Sequence, residues 1–457
     1  MFRTLEWLLR LLEGLCVWYS HRKANRRADT SLIELDHREG SLGIRINSDE
    51  PFSLTASDLT RHCYLLGSTG CGKTSLILRL IEADLKAEHT AVIIDLRGDL
   101  VRGALGLCEG LDIDPNRVTL LDLRDTDVRQ GFNPLAGAGE PYIRALHVLD
   151  VVAAEAASWG VQLEETCRNS LLLLAACGSP LTSLEAVFYD DQFRRRCLSK
   201  VADVAVVGFW ERYDGMSPDK QQAWALPVLN KITSLLAVPT LRAVLGDAAP
   251  IDLGALLRQK GQIVLVSLAV DELHRSARMM GSLMVSAIAR EMFSRVNEPE
   301  RDRNPVRLYV DEFENMASDS FEGLIAEGRR FKLSLVLSHQ TLSQLPNRLR
   351  SVVRNNVGVQ ILFQCGYEDA QIVSRELPEG VSAGSMRSLS VGQAYVMGRD
   401  GEAVLVQFAA PRRLPSPRLI DRYRERVVKP FGDLPKPVNQ PAPPTDRPAD
   451  LDTEDWL

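Results

Sequence analysis

Apolar positions along the chain fall into two rhythms. From His62 to Asn133, short continuous apolar runs alternate with amphipathic stretches: HCYLLG, then GKTSLILRLIEADLKA, AVIIDL and RVTLLDL. Continuous apolar runs predict strands buried on both faces, and their alternation with helices predicts a parallel sheet. From Gly137 to Leu245 the spacing becomes helical, as in RALHVLDVVAAEAA, EETCRNSLLLLAAC and WALPVLNKITSLLA, and strand signals are scarce. The strand rhythm then returns at 261–270, 306–312, 333–340, 358–364, 393–398 and 403–408. The pattern predicts one α/β domain with a mainly parallel sheet, split by an all-helical insert. Its first part covers 31–136, the insert 137–245 and the second part 246–428. Within 31–60, SLIELDH, SLGIRIN and PFSLTA alternate apolar and polar residues, which predicts short strands or a hairpin leading into the core.

The two ends of the chain follow neither rhythm. Residues 1–30 read as an amphipathic helix, with Trp7, Leu8, Leu11, Leu12, Leu15 and Trp18 on one face, followed by the basic cluster Arg22, Lys23, Arg26 and Arg27. Two readings stay open: a helix packed on its own domain or a neighbouring subunit, and a helix lying on an anionic membrane surface through residues 1–27. Arg3, Glu6, Arg10 and Glu13 interrupt the apolar run, so it is neither a spanning helix nor a cleavable signal. Residues 429–457 are Pro-rich and then acidic, which predicts a disordered tail. Its end, Asp452-Thr-Glu-Asp-Trp456-Leu457, is either solubilising disorder or a protein-docking motif within 446–457.

Composition narrows the class only a little. With 457 residues, 45% hydrophobic and 25% charged, the chain matches a soluble globular protein of one large or several ordinary domains. A net charge of −6 argues against a generally basic nucleic-acid-coating protein, while leaving a local basic channel open. The eight cysteines are scattered with no CxxC pair, which points to reduced thiols in a cytosolic protein and away from zinc.

The chemistry concentrates at three strand ends. Gly67, Ser68, Thr69, Gly70, Cys71, Gly72, Lys73, Thr74 and Ser75 form a P-loop, directly after an apolar strand and opening an amphipathic helix. Backbone N–H groups of such a loop wrap phosphates, and the helix N-terminus adds positive potential. The motif therefore predicts ATP and Mg²⁺ as cofactors, with Lys73 on the β- and γ-phosphates and Thr74 on the metal. The strand VRLYVDE supplies the carboxylates: Asp311 as metal partner and Glu312 as general base. Asp95 and Asp122 also end strands but belong to no adjacent acidic pair. The next strand, LSLVLSHQ, ends in Gln340, either a turn-stabilising amide or a γ-phosphate sensor with donor and acceptor in one side chain.

These motifs resemble the HerA/FtsK superfamily of hexameric DNA translocases, and most of all the coupling proteins of type IV secretion and conjugation. Five segments carry the likeness: GSTGCGKT, IIDLRGDL (93–100), Phe132-Asn133-Pro134-Leu135, YVDEFENM and EGRRFKLSLVLSHQTLSQL. Together with the strands around them they span about Leu42 to Phe408. The resemblance implies a RecA-like P-loop ATPase fold whose helical insert matches the all-alpha domain of coupling proteins. It implies Gln340 as the sensor and Arg329 as an arginine finger for a neighbouring subunit, with Arg330 and Arg354 as weaker candidates. It implies a homo-hexamer that moves DNA largely without sequence preference. Its partner would be a relaxase or relaxosome, or a secretion ATPase, and its place the cytoplasm or the inner face of the cell membrane. The alternatives are a soluble translocase working with a nuclease, and a nucleotide-gated scaffold or substrate receptor. Family members usually carry a pair of spanning helices where this chain has its amphipathic segment. Leu389 to Gln393 (LSVGQ) is similar to an ABC signature, but it follows the Asp-Glu pair instead of preceding it and is set aside.

Overall fold

The computed structural model describes residues 41–428, apart from 126–129, 157, 248, 317–318, 376, 379–380, 399–400 and 412–413. The N-terminal helix, its basic cluster and the Pro-rich tail lie outside the described residues. Among the described residues, eleven strands form one sheet: β1 (Gly43–Arg45), β2 (Pro51–Phe52), β3 (Cys63–Leu66), β4 (Thr90–Asp95), β5 (Val118–Asp122), β6 (Ile263–Ser267), β7 (Val306–Asp311), β8 (Leu333–His339), β9 (Val359–Phe363), β10 (Gln393–Met397) and β11 (Ala403–Phe408). Their spatial order is β2-β1-β11-β10-β9-β3-β8-β7-β4-β6-β5. β3 to β9 run parallel, as the apolar runs predict. Beyond β9 the pairing turns antiparallel through β10, β11, β1 and β2. The hairpin expected within 31–60 is the short β1–β2 pair.

The central strands are buried throughout because both faces are covered. Alternate residues serve alternate faces. Cys63, Leu65, Ala91 and Ile93 join a core under the helices Lys73–Lys86, Asp99–Gly110 and Pro417–Val427. Tyr64, Leu66, Val92 and Ile94 join a larger core on the other face. That second core runs without a break into the helices between β5 and β6, including Leu171, Trp210 and Ile232. Among the described residues this stretch contains helices and no strand, from Pro141–Ala154 to Leu253–Arg258.

The entry to those helices is held by cations. Phe132-Asn133-Pro134-Leu135 crosses beside the helix Val270–Phe293. The guanidinium of buried Arg290 donates to the carbonyls of Pro134 (3.1 Å) and Ala136 (2.5 Å). Arg144 donates to Leu135 (2.7 Å) and Ala175 (2.8 Å). Backbone carbonyls that leave regular structure here are thus satisfied by side chains. Among the described residues no single helix is long and apolar enough to cross a membrane.

Candidate nucleotide site

Parallel strands in register deliver their last residues to one edge. Asp311 of β7 pairs with Ser338 of β8, and His339 of β8 pairs with Leu66 of β3. The P-loop, the Asp311-Glu312 pair and Gln340 therefore meet at the carboxyl end of the sheet, where open α/β sheets bind ligands. They line a cavity of about 290 Å³ together with Asp95, Arg97, Asp99 and Val391.

The loop geometry follows from its glycines. Gly72 has φ 115°, a conformation that side chains rarely adopt, and it caps the Lys73–Lys86 helix. At Gly67 a Cβ would come within 2.6 Å of Phe363 Cβ and 2.7 Å of Cys71 Sγ. Cys71 is buried and its thiol pKa is raised by that burial, so it packs and does not react. Its carbonyl accepts from Gly392 N–H at 2.8 Å. The segment set aside as a false signature therefore braces the P-loop from below, and Val391 lines the cavity. Nothing in its letters announced this, because the contact depends on the β10–β11 hairpin.

Lys73 is buried and its ammonium donates to the carbonyls of Gly67 (2.5 Å) and Ser68 (3.2 Å). Thr74 is exposed at the start of the helix. Asp311 accepts from the Ser338 hydroxyl and, at 3.1 Å, from the Glu312 N–H. Burial raises the Asp311 pKa, and Ser338 opposes the shift. The cation of a bound metal would reverse it.

A chain of side chains links the loop to Glu312. Thr69 donates to the Gln340 carbonyl at 3.1 Å, and the Gln340 amide N–H donates to Glu312 Oε1. Arg97 Nη2 lies 3.7 Å from the same Glu312 oxygen. Gln340 thus uses both ends of its amide, on Thr69 and on Glu312. Glu312 sits at φ 51°, an unfavourable backbone state for a residue with a side chain. Nearby Glu314 is pushed up to about 7, first by burial and then by Glu312 and Asp311. His339 is held neutral by burial between Tyr64 and Phe313, its pKa lowered to about 3.

The other strand-end acids are already spoken for. Asp95 accepts from the N–H groups of Arg97 (2.9 Å), Leu100 (2.7 Å) and Val101 (3.1 Å), capping the Asp99–Gly110 helix. Asp122 pairs with Arg424 at 3.1 Å. Arg97 lay inside the quoted IIDLRGDL motif, yet sequence alone assigned it no role.

Arg329 is not brought to this cavity. It is exposed in the turn Gly328–Phe331, just before β8, whereas Gln340 follows β8. The 7 residues of β8 separate them by about 23 Å. Arg329 instead lines a second cavity of about 360 Å³ with Thr60, His89, Arg307 and Lys332. Arg330 pairs with Glu327 at 3.8 Å.

Comparison with known proteins agrees on the fold. Residues 51–104 match the family model of the type IV secretion-system coupling protein DNA-binding domain. The bacterial conjugative coupling protein TrwBdeltaN70 superposes with a TM-score of 0.59 at 17% identity, over 82% of this chain and 91% of that one. The plasmid coupling protein TrwB in complex with ADP and Mg²⁺ gives 0.60 at 16% identity, over 84% and 92%. VirB4 of Thermoanaerobacter pseudethanolicus gives 0.56 at 14% identity, over 84% and 98%. No curated protein sequence matches the chain. The chain thus shares the RecA-like P-loop fold of these coupling-protein structures.

Proposed function

We propose that the chain is an ATP-driven DNA translocase of the coupling-protein kind, working as a ring of six copies. The observation that carries this reading is the convergence of Lys73, Thr74, Asp311, Glu312 and Gln340 on one cavity at the sheet edge. The residues there fit a nucleoside triphosphate with Mg²⁺: a left-handed glycine loop, a helix N-terminus, one ammonium and, in Asp311, one carboxylate for the metal. Lys73 and the loop N–H groups would hold the phosphates, and Thr74 with Asp311 the metal. Bound Mg²⁺ supplies Lewis-acid polarisation of phosphate oxygens.

The chain's own groups do the rest. Glu312 takes a proton from water. The Gln340 amide and the Arg97 guanidinium fix its carboxylate in one place. Thr69 ties Gln340 to the P-loop, so a shift of the loop moves the group that orients the base. Arg329, exposed at the other end of β8, would serve the site of a neighbouring copy. DNA would be held by phosphate contacts, without strong sequence preference. The proposed partner is a relaxase–DNA complex or a secretion ATPase. The proposed location is the cytoplasm, at the inner face of the membrane if residues 1–27 bind lipid.

DNA-stimulated ATPase activity of the purified chain tests the reading. DNA should raise hydrolysis in wild type and not in Glu312→Gln. Equal rates with and without DNA would overturn the motor. Unchanged hydrolysis in Glu312→Gln would overturn the base assignment. Liposome flotation with and without residues 1–27 tests the membrane contact, and equal flotation rejects it.

A further inference from the structure

The segment that follows Gln340 lies outside the nucleotide cavity and is gripped by charged side chains. Thr341 leads into the short turn Leu342–Gln344, and Leu342 and Leu345 are buried. Apolar burial is non-directional, so it sets the depth of this turn but not its position along the surface. Two residues from different helices fix the position. Arg350, on the helix Asn347–Asn356, donates through Nη2 to the carbonyls of Leu342 (2.5 Å) and Leu345 (3.5 Å). Asp369, on the helix Tyr367–Ser374, is 5% exposed and accepts the Leu342 N–H at 3.1 Å. Leu342 is thus held at both its N–H and its carbonyl. The Asp369 helix itself starts just after Gln364, whose carbonyl accepts the Ser68 N–H of the P-loop at 2.8 Å.

The grip leaves polar atoms over. Among the described residues, His339 Nδ1 and Arg350 Nε are buried with no hydrogen-bond partner, one before Gln340 and one beyond it. Buried polar atoms without partners are uncommon and cost free energy. A cavity of about 20 Å³ beside Leu342, Leu345 and Arg350 leaves space for a small displacement of the turn. Tight contacts at Leu342 with free space beside them describe an element that shifts as one piece.

We propose that Arg350 and Asp369 are positioning residues that pass the state of Gln340 to the helix Asn347–Asn356. This role rests on nucleotide binding at the cavity described above. Gln340 is tied to Thr69 and Glu312, so a triphosphate in place of a diphosphate moves its amide. Leu342 follows two residues later, and Arg350 carries the displacement into its helix. A nucleotide that favours one arrangement of the turn then shifts the helix with it. That helix holds Arg348, Arg350 and Arg354 and no acid, so the surface that moves is cationic.

Hydrogen–deuterium exchange of the full chain, with ADP and Mg²⁺ and with a non-hydrolysable ATP analogue and Mg²⁺, tests the role. Both nucleotides should protect residues 67–75, and exchange over 341–356 should differ between them. In Arg350→Ala the difference should vanish from 347–356 while protection of 67–75 remains. Asp369→Asn keeps an oxygen for the Leu342 N–H and should retain the wild-type difference, whereas Asp369→Ala should lose it. A difference over 347–356 that survives in Arg350→Ala overturns the role. So does a wild-type chain protected at 67–75 in which 347–356 exchanges alike with both nucleotides. Equal behaviour of the two Asp369 variants overturns the part given to Asp369. Absence of protection at 67–75 in the wild type removes nucleotide binding itself, and this role with it. Should Arg350→Ala fold poorly, the wild-type comparison decides on its own.

Discussion

The two ends of β7 handle charge in opposite ways. Arg307, Tyr309 and Asp311 alternate along the strand, so they share the face covered by the Lys73–Lys86 helix. At the near end that helix contributes Asp84. Arg307 and Tyr309 both donate to its carboxylate at 2.5 Å, and His89 Nδ1 lies 3.0 Å away. Asp84 and Arg307 are 1% and 7% exposed, so this is a sealed pair whose lone pairs are used inside the protein. At the far end the same helix contributes Lys73 and Thr74, opposite Asp311 and Glu312. There the groups face a cavity, their hydrogen bonds are shared with the loop itself, and one backbone is strained. One helix and one strand are bolted together at one end, which leaves the other end free to hold a reactive arrangement. Fixed charges give the frame, and incompletely satisfied charges give the chemistry.

That contrast predicts effects of different kinds at the two ends, and the largest are catalytic. Glu312→Gln should lower hydrolysis by about 10²- to 10⁴-fold, the usual worth of a general base, with the melting temperature unchanged. Steady-state ATPase and thermal melts on the same preparation check both halves. Asp84→Ala should do the reverse. Removing one partner of a buried ion pair costs about 3–5 kcal/mol, because Arg307 is left charged and unpaired. Urea denaturation should show that loss, while hydrolysis per folded molecule stays near wild type. If Asp84→Ala abolished hydrolysis without destabilising the fold, the division between frame and site would fail.

Histidines at either end of β8 sharpen the same contrast through pH. His62 accepts the Leu335 N–H at 3.0 Å, and burial lowers its pKa to about 4. His339 is lowered to about 3, also by burial. Both are neutral in the folded protein, and the unfolded chain takes up protons below about 6.5. Their contribution is therefore present above that value and is lost as pH falls through the range down to 3–4. At pH 5 the loss is about 2 kcal/mol for each. His339→Phe should remove about half of this acid sensitivity in urea titrations at pH 5 and pH 7.5. An unchanged pH dependence would mean that His339 is not held neutral.

How much of this was legible in sequence follows the same division. The P-loop and the Asp311-Glu312 pair announced themselves because each is a contiguous string whose spacing is the chemistry. The parallel core was legible because strands covered on both faces must be apolar throughout. Gln340 was undecided by spacing alone, since a strand-end amide says nothing until its neighbours in space are known, and only the family resemblance made it a sensor. Asp84 and Arg307 were invisible, being polar letters inside apolar segments and 223 residues apart. The bracing of Cys71 by Gly392 was invisible for the same reason: it arises from antiparallel strands added beyond the parallel ones. Arg329 is a third case, a residue whose proposed partner lies in another copy of the chain.

The smallest predicted effect is the most informative about Gln340. Its amide donates to Glu312 and its carbonyl accepts from Thr69, so Gln340→Ala breaks the link between loop and base while leaving both in place. A hydrogen bond to a charged group contributes about 1.5 kcal/mol at the low end, which corresponds to about tenfold in rate. Nucleotide affinity should hold, because Lys73, Thr74 and the loop N–H groups are untouched. Basal hydrolysis should fall by about tenfold, and stimulation by DNA should fall further. The ordering of the variants then discriminates. A loss as deep as Glu312→Gln would make Gln340 part of the chemistry, whereas full stimulation by DNA would return it to a structural amide. The intermediate result, weak basal turnover that DNA no longer accelerates, is what a residue tied to both loop and base requires.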